Sequence, residues 1–212
     1  MNVYHKIDTV FKRDIKTKYK TLLMGEYSKP EFEYLKDNIW LFTEKIDGTN
    51  IRIMWEGGNL RFGGKTDNAQ IPVFLYDKLN KIFTKDMFVK EFPETDICLY
   101  GEGYGARIQK GGGNYIPDGV DFILFDVNIA GWWLKREDVL DIAAKFHLCA
   151  VPFVGEGTLG AMVKLVKSGF QSQIGNSTHT AEGIVARPRV ELKDRAGRRI
   201  ITKIKYKDFI VK

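Results

Sequence analysis

An apolar run, Ile39-Trp40-Leu41-Phe42, and an alternating run, Ile51-Arg52-Ile53-Met54-Trp55, stand either side of Glu44-Lys45-Ile46-Asp47-Gly48-Thr49-Asn50. That order dictates a strand, a tight polar turn and a second strand, with Lys45 at the end of the first. A lysine at a strand end beside a glycine-containing turn is placed to act as a nucleophile in a cleft. Taken alone, it is equally an ordinary surface lysine beside a turn.

The remaining chain matches a globular protein with mixed structure. Its 212 residues suffice for one well-buried core, and 44 % hydrophobic with 28 % charged residues excludes a disordered chain. The net charge of +6 fits a phosphate-rich partner without requiring one. The two cysteines, Cys98 and Cys149, sit in apolar runs and are expected as buried free thiols of a reducing compartment. No run is long enough for a membrane span, and charges near the N-terminus replace the apolar core of a signal peptide. The chain reads as cytoplasmic.

Residues 1–38 interleave aromatic and basic residues, a pattern that can stack bases and neutralise phosphate, and read more simply as a half-exposed opening segment packed on the core. Gly57-Gly58 marks a hairpin between Ile51–Trp55 and Leu60–Phe62. Pro72 opens a helix that buries Leu75, Leu79, Ile82 and Phe83. Ile97–Tyr100 is a strand leading into a glycine-rich turn, Gly101–Gly105, and the loop with Gly111–Gly113 is either mobile or shaped for close backbone approach to a ligand. Phe122–Val127 is a buried strand. Arg136–His147 is an amphipathic helix with Val139, Leu140, Ile142, Ala143 and Phe146 inward. Thr158 caps a helix over Leu159–Ser168 that Gly169 ends. Val190–Leu192 and Ile200–Tyr206 flank Asp194–Gly197 as a hairpin.

Four further pieces join Lys45. Glu102 lies in the glycine-rich turn, Asp126 ends a strand, Glu182 precedes the strand Ile184–Ala186, and Lys203 with Lys205 lies on the final strand. Carboxylates that hold a divalent cation and ammonium groups that hold phosphate are the equipment for a nucleoside triphosphate. Lys203 and Lys205 are two apart and share one face of their strand. A charged edge strand would look the same.

The order and spacing of these pieces resemble the covalent nucleotidyltransferase superfamily, the ATP-dependent polynucleotide ligases and capping enzymes. The likeness is greatest to the RNA ligase 2 group. Lys45-Ile46-Asp47-Gly48 is similar to the nucleophile motif, extended by Thr49-Asn50. Tyr100-Gly101-Glu102-Gly103-Tyr104-Gly105 resembles the third motif, and Phe125-Asp126 a characteristic strand end. Glu182-Gly183-Ile184-Val185 resembles the fourth, and Lys203-Ile204-Lys205 the fifth. The resemblance covers residues 40–207.

It implies an α+β, ATP-grasp-like nucleotidyltransferase domain, antiparallel sheets flanked by helices with a nucleotide cleft between them. It implies one catalytic domain over 1–212, with no OB-fold or other C-terminal domain. The implied activity is ATP-dependent joining of 5′-phosphate and 3′-hydroxyl ends through AMP bound covalently to Lys45, with RNA favoured over DNA and Mg²⁺ or Mn²⁺ as cofactor. In the implied site the backbone at Glu44 reads adenine, Phe125 stacks on it and Glu102 contacts ribose. Glu182 and Asp126 serve the metal, and Lys203 and Lys205 hold the α-phosphate. Lys65 stands where the group places an arginine, and lacks the bidentate fork. Asn50 handles the nucleic acid. A monomer is expected, with a partner protein as one source of a clamp. The Arg187, Arg189, Arg195, Arg198 and Arg199 cluster is either a substitute clamp or a solvated hairpin. The rivals are a DNA ligase, a GTP-using capping enzyme and a non-catalytic nucleic-acid-binding module.

Overall fold

In the computed structural model, which describes residues 3–175 and 178–210, Gly57 and Gly58 take φ values of +53° and +75°. Two successive positive φ angles match the right-handed twist of a two-residue hairpin, so the strands either side pair in register, Glu56 with Asn59 and Trp55 with Leu60.

The strands in chain order are β1 (Asp8–Thr9), β2 (Phe11–Arg13), β3 (Leu22–Tyr27), β4 (Trp40–Glu44), β5 (Thr49–Glu56), β6 (Asn59–Gly63), β7 (Ile97–Gly105), β8 (Val120–Ile129), β9 (Trp132–Trp133), β10 (Cys149–Ala150), β11 (Phe153–Gly157), β12 (Gly183–Pro188) and β13 (Thr202–Lys205). The α-helices are α1 (Pro30–Tyr34), α2 (Val73–Ile82), α3 (Lys85–Glu91), α4 (Arg136–Lys145) and α5 (Leu159–Ser168). The chain divides into two compact units, and the division falls between Ile46 and Asp47, inside the lysine motif. The fold class is the expected mixture of α and mainly antiparallel β structure.

The first unit holds residues 3–5, Asp47–Val151 and Gly175. Its sheet runs β10-β8-β7-β5-β6, with β9 on β8. Ile51, Ile53 and Trp55 alternate on β5 and join Leu75 and Leu79 of α2, Phe88 of α3 and Val139 and Ile142 of α4 in one core. Burying each such side chain contributes about 1.5–3 kcal/mol. The helix expected after Pro72 is present. Two expectations about burial fail. Leu140 is 42 % exposed, because α4 buries only the stripe of Val139, Ile142 and Ala143. Cys149 is exposed, on a two-residue strand that pairs with β8 at the sheet's edge, whereas Cys98 is buried.

The glycine-rich segment Gly101–Gly105 is strand rather than turn, continuing β7 opposite β8 and β5. Packing overrides composition here. A Cβ on Gly101 would lie 2.2 Å from the Phe122 ring, and one on Gly103 would lie 2.6 Å from Leu75. The glycines leave room for those neighbours.

The second unit holds Lys6–Ile46, Pro152–Ile174 and residues 178–210. Its five-stranded sheet runs β1-β13-β12-β4-β11, and β2 and β3 form a separate hairpin. Trp40, Phe42, Ile184 and Ile204 from the sheet pack with Leu159, Met162 and Val166 of α5 and Phe32 of α1. The Trp40 indole donates to the Leu35 carbonyl at 2.8 Å. Thr158 caps α5 by accepting from the Ala161 amide at 3.1 Å, and Gly169 ends it at φ +76°, both as expected. The opening segment packs on this core through Val10, Phe11 and Phe32, while Tyr19 and Tyr34 stay exposed. Residues 190–200 form a turn closed by Asp194 and Arg198 with a single bridge, Lys193 to Arg199, so the expected hairpin is present only at its tip.

Candidate active site

β4 pairs with β12, and β12 with β13, all antiparallel. The register sets Gly183 opposite Lys205 and Ile184 opposite Glu44. Lys45 therefore leaves β4 where Glu182 enters β12 and Lys205 ends β13. Backbone bonds continue past the strands: the Lys45 amide donates to the Gly183 carbonyl at 2.9 Å, and the Tyr206 amide to the Glu182 carbonyl at 2.8 Å.

These three side chains meet. Lys45 Nζ is 2.6 Å from Glu182 Oε2, and Lys205 Nζ is 2.6 Å from Glu182 Oε1. One carboxylate is bracketed by two ammonium groups, with the side chains only 10–21 % exposed. Partial burial strengthens such contacts relative to a surface pair. Lys203 lies on the same face of β13 as Lys205, in the alternation expected. Its strand lies inside the sheet, between β1 and β12, which disposes of the edge-strand reading.

Glu44 has a role that the sequence did not signal. It is 1 % exposed, and its carboxylate accepts from the Ser172 hydroxyl and, at 2.9 Å, from the Gln173 amide. A buried carboxylate held by two donors anchors the segment after α5 to the end of β4.

The other predicted residues belong to the first unit. Asn50 on β5 faces Glu102 on β7 as a cross-strand pair, and Asn50 Oδ1 is buried without a hydrogen-bond partner among the described residues. Asp126 on β8 is fully buried and accepts from the Tyr4 hydroxyl at 2.8 Å. Phe125 is half-buried, edge-on to Tyr4 at 5.1 Å. The turn after the lysine is held within this unit: Tyr115 Oη accepts from the Asp47 amide at 3.1 Å and Gln109 donates to the Gly48 carbonyl at 3.1 Å. A Cβ on Gly48 would sit 2.3 Å from the Gly103 carbonyl oxygen, so the motif's glycine is required by space.

Lys65 is exposed, in the loop after β6. That loop is fixed by Arg52, whose side chain is fully buried and donates to the Gly64 carbonyl at 2.8 Å and Asp67 at 2.7 Å. The Arg52 hydrogen bond, then its charge, hold the Asp67 carboxyl below the usual range. An arginine in an alternating strand carries no mark of this in the sequence.

The arginine cluster is mostly committed to local pairs. Arg189 pairs with Glu156, Arg198 with Asp194 and the buried Arg199 with Glu191. Among the described residues no three His, Cys, Asp or Glu side chains are grouped to hold a metal, and no helix is long and apolar enough to cross a membrane. A cation that takes most of its ligands from phosphate and water needs only one or two carboxylates, and Glu182 suits that demand.

A lysine at a strand end, bonded to a carboxylate that also holds a lysine of the neighbouring strand's end, all on one five-stranded sheet, is the arrangement of a nucleotidyltransferase-type domain. The RNA ligase family model matches residues 38–206, and the chain belongs to that family. Among solved structures it is similar to a Naegleria gruberi RNA ligase variant in its apo form (TM-score 0.64, 14 % identity, covering 98 % of this chain and 60 % of that one). A variant of that enzyme with ATP and Mn gives TM-score 0.63 at 16 % identity over 98 % of this chain and 62 % of that one. Another with AMP and Mn gives 0.63 at 16 % over 97 % and 60 %. This chain thus spans about three fifths of those structures. A comparison with curated proteins finds no match.

Proposed function

We propose that this chain is the nucleotidyl-transferring part of an ATP-dependent RNA ligase. The observation that carries the reading is the Lys45–Glu182–Lys205 contact, at 2.6 Å on each side of the carboxylate, in a chain of the RNA ligase family. The Lys45 nitrogen attacks the α-phosphorus of ATP. A P–N bond forms, the bond to the β-phosphate oxygen breaks, and pyrophosphate leaves with that electron pair while the amine loses its protons to solvent. AMP then passes from Lys45 to a 5′-phosphate end. A 3′-hydroxyl attacks that phosphate, the phosphodiester forms and AMP leaves.

Lys205 and Lys203 stabilise the charge that grows on the α-phosphate. In the arrangement described, the Lys45 amine donates to Glu182. Attack on phosphorus needs the nitrogen's lone pair, so the Lys45 ammonium gives up one proton before the P–N bond forms, and the N–H bonds that remain can still donate to Glu182. Glu182 is the residue of this unit that would hold Mg²⁺ or Mn²⁺, which when bound neutralises phosphate charge. The family pattern assigns Asp126 as a second metal carboxylate, Phe125 and the Glu44 backbone to adenine, Glu102 and Lys65 to the sugar side, and Asn50 to the nucleic acid.

The test is incubation with ATP or GTP labelled at the α-phosphate. Label from ATP should stay on the protein through denaturing gels and phosphatase treatment, and Lys45→Ala should carry none. Label from GTP alone, or equal label on Lys45→Ala, would sink the reading. Sealing assays on RNA, hybrid and DNA ends then rank the substrates.

A further inference from the structure

Residues 6–21 and the end of the chain's last sheet strand line a cavity of about 990 Å³ in the second unit. Six cationic side chains line it, Lys6, Arg13, Lys20, Lys203, Lys205 and Lys207, against two carboxylates, Asp8 and Asp208. Both carboxylates are already occupied. Asp8 is 3.1 Å from Lys29 and 3.7 Å from Lys6, and Asp208 is 2.9 Å from Arg13. Lys20 and Lys207 have no carboxylate partner among the described residues, and both are exposed. Lys205 is paired with Glu182, so Lys20 and Lys207 carry the positive charge of this lining that no carboxylate among the described residues offsets, and two such ammonium groups suit phosphate.

Its walls are also shaped. The turn between β2 and β3 carries Lys18 and Tyr19 at φ +53° and +61°, two successive non-glycine residues in the left-handed region. L residues adopt that conformation only when their surroundings enforce it. Arg13 does so, donating to the carbonyls of Tyr19 and Lys20 at 3.3 and 3.4 Å and to Asp208 at 2.9 Å. The clasp presents Lys20 beside the C-terminal 3-10 turn, Tyr206–Asp208, that bears Lys207. Phe209 and Ile7 give the cavity an apolar wall, and Tyr19 next to Lys20 is 58 % exposed.

We propose that this cavity binds a single-stranded stretch of the polynucleotide to be joined, its phosphates on Lys20, Lys207 and Arg13 and its bases against the apolar wall. Cations that follow a backbone, interleaved with rings that accept any base, are how proteins hold single strands. The volume is at the upper end of small-ligand sites, roomy for a triphosphate tail and too small for a duplex. Lys205 lines the cavity and also binds Glu182, so the strand is held next to Lys45's partner. The inference rests on the ligase reading for what happens to the strand, although binding itself does not require Lys45.

The test uses the full chain without ATP and a fluorescent, 5′-phosphorylated single-stranded RNA, titrated by anisotropy at several salt concentrations. Lys20→Ala/Lys207→Ala should bind about tenfold more weakly at low salt, with the log–log salt slope reduced by about 1.4, two phosphate contacts of ~0.7 each. Each single substitution should lower the slope by about 0.7, which serves if the double variant folds poorly. Lys20→Arg/Lys207→Arg should bind as the parent does. Unchanged affinity and slope would overturn the proposal. So would a raised KM for ATP in self-adenylylation with strand binding intact, since the cavity would then hold the triphosphate. Equal competition by a nicked duplex and a single strand would overturn it as well. Lys45→Ala should keep strand binding while losing label. If the parent binds strand but takes no label, the ligase reading fails and the cavity assignment stands.

Discussion

The Nζ of Lys45 and the carboxylate of Glu182 lie 2.6 Å apart, and the same carboxylate holds Lys205 on its other oxygen. Removing Glu182 leaves two ammonium groups facing each other in a half-buried site. Glu182→Ala is expected to reduce labelling by ATP at least a hundredfold, the scale of losing one charge-stabilising group. Its cost in stability should be partly relieved by adding Lys45→Ala. A double-mutant cycle in urea should give a coupling of about 1–3 kcal/mol between the two positions.

Glu44 should behave differently. Its carboxylate is buried and anchors Ser172 and Gln173. Glu44→Ala strands those donors and is expected to cost about 2–4 kcal/mol in chemical denaturation. It should also speed proteolysis near residues 172–174. Glu44→Gln, which keeps one acceptor, should cost less than half as much.

Two glycines separate packing from flexibility. A Cβ at Gly101 would lie 2.2 Å from Phe122 and 2.4 Å from the Ile123 carbonyl, whereas one at Gly113 would meet nothing within 4 Å. Gly101→Ala is expected to lose more than about 3 kcal/mol or to fail to accumulate as folded protein. Gly113→Ala should fall within about 0.5 kcal/mol of the parent. Equal melting temperatures for the two variants would contradict the packing of β7 on β8.

The thiols should report the burial difference. Cys149 is exposed and Cys98 buried, so alkylation near neutral pH should modify one thiol in the folded chain and two in denaturant. Burial pushes the Cys98 thiol from 9.0 up to about 11 and the Tyr104 hydroxyl from 10.0 up to about 12. The unfolded chain gives up these protons first. Above pH 9 the native state therefore binds more protons than the unfolded one, and stability falls as pH rises. The urea midpoint should be flat to about pH 8.5 and then decline through the folded values. Cys98→Ala should remove the earlier part of that decline.

Much of this was legible from local pattern. Lys45, Glu182 and Lys205 are each placed by a strand end, and strand ends follow from apolar runs and turn residues. α2 and α5 were marked by period and caps. Contacts made by side chains across long sequence separations were not legible. Glu44 to Ser172 spans 128 residues, and Arg52 bears no local sign that it pins the loop of Lys65. The strand through Gly101–Gly105 was hidden because glycine weakens strand propensity. Only the rings and carbonyls of its neighbours explain why glycine belongs there.

β1 is two residues long, yet it lies parallel to β13, pairing Thr9 with Lys203. The Val10 amide donates to the Lys203 carbonyl at 3.1 Å, and Arg13 reaches Asp208. Asp8 and Thr9 therefore form the outer hem of β13. Deleting residues 3–9 would leave Lys203 and Lys205 on a bare sheet margin, open to pairing with another molecule. A shortened chain is expected to self-associate, and in doing so to bury the lysines it was shortened to display.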